Sequence, residues 1–207
     1  MRRDTAIRRL RTIAERCQQV SGLWDDDDPV LVAAYTFGAV LDGAAELPAV
    51  QVAFVLDLPA DELTWCVQPQ DCTGLVGLLE LEKAPVDWYW RPAVWPVANH
   101  VIRRPLGVWS AAAGVDEAAL DALARGEAER LRQPAPADDD LQDQLSTELQ
   151  ASLAHLRRVE SAYWEREWRS AHRGLGVDPE HHLWNAAHGY LELLAAADPR
   201  RRPTGTR

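Results

Sequence analysis

The chain has 207 residues and a formal charge of −10, and 47% of its residues are hydrophobic. That is too apolar for a disordered chain and long enough for one large domain or two small ones. The acidic surplus argues against general nucleic-acid binding, which draws on surplus Lys and Arg.

The three cysteines, Cys17, Cys66 and Cys72, form no tight pair and fit neither a disulfide framework nor a zinc site. Free thiols in a reducing cytoplasm are expected. No apolar run approaches the ~20 residues of a membrane helix, and the charged N-terminus lacks a secretory apolar region, so a cytoplasmic protein without membrane contact is expected.

Ile7, Leu10, Ile13, Ala14, Cys17 and Val20 recur at three- and four-residue steps and predict a helix over 2–20 with a basic outer face. Asp25 to Asp28 then read as a solvated turn, because adjacent carboxylates on a loop rarely converge on a cation. Leu31 to Phe37 and Val50 to Leu56 are short apolar runs bounded by Gly38 and by Asp57-Leu-Pro59, the pattern of buried strands. Thr64 to Val67 predicts a short strand and Thr73 to Glu82 a helix. Pro85 to Arg91 predicts a strand with Val86, Trp88 and Trp90 on one face and Asp87, Tyr89 and Arg91 on the other.

Pro92, Pro96 and Pro105 break the next stretch, a strand is expected over Leu106–Ser110, and a helix from Asp116 to about Arg132. Gln133 to Asp140 reads as a linker. Beyond it, Leu141, Leu145, Leu149, Leu153, Leu156, Val159 and Tyr163 form the stripe of a long helix reaching past Trp168. Asp178-Pro179 starts a last helix, with Leu183, Trp184, Ala187, Leu191 and Leu194 inward, and a basic tail over 200–207 is expected to be disordered. The expected organisation is an α/β domain over 1–132, a linker over 133–140 and a helical domain over 141–199.

The order strand, Gly38, Gly43, strand resembles the signature of the nucleotidyltransferase superfamily, which includes DNA polymerase β and kanamycin nucleotidyltransferase. In that family Gly-Ser ends the first strand and Asp-x-Asp opens the next. Here Ala39 stands in the serine position, and Val50 and Val52 stand in the aspartate positions. The resemblance implies an α+β fold: a mixed sheet with flanking helices, then a helical domain. It implies a vestigial nucleotide-binding turn at Gly38, Ala39 and Gly43, with Asp87 a residual carboxylate on a later strand. The family's aspartates hold two Mg²⁺ ions, and hydrocarbon side chains cannot replace oxygen ligands. No catalytic residue, metal or cofactor is therefore expected. A nucleotide, a protein partner or a second copy is the expected ligand, with a regulatory or antitoxin-like role by analogy. The alternative is an Mg²⁺-dependent transferase acting on a small hydroxylated substrate, its carboxylates relocated to Asp42, Glu46, Asp57 or Asp87.

His181, Asn185, His188 and Glu192 share one helical face, but His181 and His188 lie two turns apart, so the face reads as exposed and polar. The nine tryptophans include the runs Trp88-Tyr89-Trp90 and Tyr163-Trp164, suited to stacking flat rings or to filling a seam between sheet and helices. The run from Tyr163 to Arg169 is expected between the two halves of the chain.

Overall fold

The computed structural model describes residues 1–23, 31–174 and 178–198, so the aspartate run 25–28 and the tail 200–207 lie outside the described residues. Five strands, β1 (Leu31–Phe37), β2 (Val50–Leu56), β3 (Val86–Pro92), β4 (Leu106–Ser110) and β5 (Gly114–Val115), form one mixed sheet in the order β3-β2-β1-β4-β5. The β2–β3 pair is parallel and the other neighbours are antiparallel. The central strands are covered on both faces, which is why they read as near-continuous apolar runs rather than alternating ones.

On one face lie α1 (Arg3–Val20), α2 (Thr73–Leu78) and α3 (Glu117–Arg125). Leu10, Ile13 and Cys17 of α1 and Leu120 of α3 share a core with Val50, Val52 and Phe54. Arg11 ties α1 to α3 through Glu117 and, at 2.9 Å, Asp121.

Against the other face pack α4 (Asp138–Ala162) and α6 (Pro179–Ala197), joined through the short α5 (Arg166–Ala171). Leu145 and Leu149 of α4 and Leu193 of α6 share a second core with Ala33, Phe37, Ala53 and Val55 of the sheet. The helices expected to form a separate domain thus cover the same sheet that α1 covers from behind. The charged link between these layers is buried. Arg91 of β3 meets Glu148 of α4 at 2.6 Å, and Asn99 and Gln144 also donate to that carboxylate, at 3.2 and 2.9 Å.

Several elements differ from expectation for identifiable reasons. Thr64–Val67 is a turn, not a strand, because Trp65 folds back into the second core, 1% exposed. The expected helix over 73–82 stops at Leu78, and Glu80 takes a left-handed backbone before a 3₁₀ turn over Leu81–Lys83. The helix from Asp116 stops at Arg125, where Gly126 caps it in the left-handed region at φ 77°. Asp138, Asp139 and Asp140, expected in the linker, form the first turn of α4, where the helix dipole favours negative charge.

The long helix breaks after Ala162. Trp168 lines a cavity against loop 61–70, whereas Trp164 stands 82% exposed rather than between layers. On α6 the buried residues are Pro179, Ala186, Gly189 and Leu193, while Trp184, Leu191 and Leu194, expected inward, are exposed. Close approach decides the matter: a Cβ at Gly189 would lie 1.9 Å from the Trp65 carbonyl oxygen. Only glycine lets α6 sit so tightly on that turn.

Candidate functional site

After β1 the chain turns with Gly38 and Gly43 both left-handed at φ 70° and 81°, and Ala39 is exposed between them. Val50 and Val52 are 0% exposed and point into the first core. The residue lying against the turn is Gln51, whose Oε1 would be 1.9 Å from a Cβ at Gly38. In the parallel register Gln51 neighbours Asp87, so Asp87 shares the face of Gln51 and not that of the two valines. Asp42, Glu46, Asp57 and Asp87 are exposed, and none joins a cluster of three metal-ligand side chains among the described residues.

Asp87 instead borders a cleft of about 340 Å³ between β3 and α6. The alternation of β3 expected from the sequence holds, and it sets Asp87 and Tyr89 on the face that α4 and α6 cover, a direction the sequence does not indicate, with Trp88 at the margin. Tyr89, which lines the cleft, stacks on Trp65 at 4.9 Å between ring centroids and meets Phe37 at 5.6 Å, so its ring is held from behind by buried aromatic residues. The Trp88 indole donates to Gln68 Oε1 at 3.3 Å. Across the cleft, one helical turn apart on α6, Trp184 and His188 stack at 4.5 Å and 16°. Trp184 remains 62% exposed. Burial, with Cys66 and Asp87 nearby, raises the Tyr89 hydroxyl pKa to about 12, so it stays a neutral donor.

At one end of this cleft the turn after Trp65 meets α6. Cys66, held at φ 59°, directs its thiol to Glu192 Oε2 at 3.4 Å. Glu192 Oε1 lies 3.3 Å from His188 Nε2, and the Trp65 indole donates to Glu192 Oε2 at 2.8 Å. Cys66, His188 and Glu192 are the one group of three metal-ligand side chains found among the described residues, each offering an atom within 4.8 Å of the others. Burial and the neighbouring Glu192 carboxylate both raise the Cys66 thiol pKa. Sequence reasoning sees the half of this group on α6, where His188 and Glu192 are four residues apart. It misses Cys66, which a turn brings in from more than a hundred positions away.

A second cavity, about 550 Å³, lies between loop 61–70 and the α4–α6 pair and gathers His155, His172 and His182. Its arginine is already engaged: Arg158 binds the Asp61 carboxylate at 2.6 Å and the Asp61 carbonyl at 2.7 Å. Burial lowers His182 to about 4 and lowers His155, so both rings are neutral near pH 7. The cavity thus offers little net positive charge to an anion.

No helix among the described residues is long and apolar enough to cross a membrane. Neither a curated protein nor a solved structure matches the chain. The family described as "Domain of unknown function (DUF7711)" matches residues 1–199, and the chain belongs to that family.

Proposed function

We propose that this is a binding protein on a nucleotidyltransferase-like sheet without the transfer chemistry, and that the cleft between β3 and α6 takes a nucleoside or a similar flat, hydrogen-bonding ring. The observation that carries this reading is Trp184, stacked on His188 yet 62% exposed at the cleft's edge. A stacked base contributes roughly 1–3 kcal/mol on such a platform. Gln68, Asn185 and Asp87 border the same space and offer edge contacts. Its volume lies in the range of small-molecule sites.

The Asp87 carboxylate repels a phosphate chain, so a nucleoside suits the cleft better than its triphosphate. Transfer chemistry lacks support because Val50 and Val52 are fully buried hydrocarbon, and Mg²⁺ requires oxygen donors. In this reading the protein's role is regulatory, through the occupancy of the cleft.

The test is a thermal shift with adenosine, guanosine, cytidine and uridine, beside a pyrophosphate-release assay with the four triphosphates and Mg²⁺. A nucleoside at about a hundred times its Kd raises the Tm by roughly 5–10 °C. Trp184→Ala loses that shift, and no pyrophosphate appears. Mg²⁺-dependent pyrophosphate release that Asp87→Ala abolishes would instead establish the transferase, and no shift with any nucleoside would remove the binding claim.

A further inference from the structure

We infer that Cys66, His188 and Glu192 form a zinc site with an open coordination position on the cleft side. The geometry is nearly set. Tetrahedral Zn²⁺ with thiolate, imidazole and carboxylate ligands at ~2.0–2.3 Å needs donor atoms about 3.3–3.7 Å apart. The Glu192 carboxylate bridges the other two ligands, its Oε1 3.3 Å from His188 Nε2 and its Oε2 3.4 Å from Cys66 Sγ. One donor atom from each of the three residues lies within 4.8 Å of the other two, so the set closes as the ligands draw in on the ion.

The donor set selects the metal. One thiolate, one imidazole and one carboxylate suit zinc, whereas Mg²⁺ and Ca²⁺ take oxygens alone. Two negative ligands balance the 2+ charge. When Zn²⁺ enters, a zinc–sulfur bond forms, the sulfur–hydrogen bond breaks, and the proton leaves to solvent.

The surroundings hold these ligands in place. Trp65 donates to Glu192 at 2.8 Å, the type of outer contact that orients a ligating carboxylate. Trp184 stacks on the His188 ring and fixes its plane. Cys66 has a left-handed backbone, costly for a residue with a Cβ, and the close seat of Gly189 on Trp65 holds the turn there. His188 and Glu192 are 41% and 43% exposed, leaving a side free for water. Three protein ligands with a free fourth position are the arrangement of catalytic rather than structural zinc.

The test is a Co²⁺ titration of the chelator-treated full chain, followed by absorbance. One equivalent per chain is expected to give a near-ultraviolet thiolate-to-cobalt band and intense visible bands of tetrahedral cobalt, both erased by one equivalent of Zn²⁺. Cys66→Ser abolishes the thiolate band, while His188→Gln and Glu192→Gln, both partly exposed, each weaken Co²⁺ binding at least tenfold with unchanged helix content by circular dichroism. Cys17 and Cys72 remain as internal controls, both buried. A chain that takes up no Co²⁺, a thiolate band that survives Cys66→Ser, or unchanged affinity in either α6 variant overturns the assignment.

Discussion

Arg91 and Glu148 are 1% and 0% exposed, so each charge depends on the other. Removing one partner leaves an uncompensated buried charge, and Arg91→Ala or Glu148→Ala is expected to cost about 3–5 kcal/mol in urea unfolding. Arg91→Met with Glu148→Leu restores much of that loss. Burial alone would raise the Glu148 pKa, but Arg91, Gln144 and Asn99 together pull it below the ordinary glutamate value. Its stabilisation is therefore present above the ordinary glutamate range and is lost as pH falls through the depressed folded value.

His182 acts higher on the scale. Burial lowers it to about 4 from 6.5, so the unfolded chain binds a proton that the folded chain refuses. Stability falls as pH drops from about 6.5 towards about 4, and His182→Gln makes the Tm profile less steep across that window, with the partly buried His100 and His155, also lowered, supplying the rest. At this scale the sequence reveals the apolar stretch that holds Val50 and Val52. It hides Glu148, because its partner comes from a strand 57 residues away.

Among the elements, β1, β2 and the end of α1 fall where the periodicity puts them, because their apolar patterns have one reading. The helices of the second layer are legible in existence but not in extent or full facing: α4 begins at Asp138, inside the expected linker, and ends at Ala162, before Trp168. The buried line of α4 keeps Leu141, Leu145 and Val159 of the apolar stripe but also takes in Glu148 and Ser152, which no hydrophobic pattern marks. On α6, apolar residues occur on more than one side, and the backbone contact with Trp65 selects the small ones. Gly189→Ala puts a methyl against that carbonyl and is expected to destabilise by about 1–3 kcal/mol while shifting the Cys66 turn. Ala195→Gly, on the same helix away from this contact, costs about 1 kcal/mol from propensity alone. An equal loss at both positions would show that the close approach does not constrain the helix.

For the whole molecule, the arrangement is a sheet between two helical layers, and the second layer comes from the last third of the chain. A chain ending at residue 132 would expose Ala33, Phe37, Ala53 and Val55, which Leu145 and Leu193 cover. It is expected to aggregate or to unfold without a cooperative transition, where an independent domain would melt sharply. This layering is not legible in the sequence, since the contacts that create it link distant residues, Arg91 with Glu148 57 positions on and Trp65 with Glu192 127 positions on. The cleft is hidden for the same reason: its aromatic walls belong to β3 and α6, and Trp184, read from the helix alone, falls on the inner face.

The most direct test of the cleft as the binding site uses the nine indole N–H resonances of the tryptophans as reporters. With a nucleoside added to ¹⁵N-labelled protein, the largest changes should fall on Trp88, Trp90 and Trp184, while Trp109, bonded to Gln18 on the far face, and the exposed Trp164 stay fixed. Changes centred on Trp168 in the histidine-lined cavity, or no change at saturating nucleoside, would contradict the account.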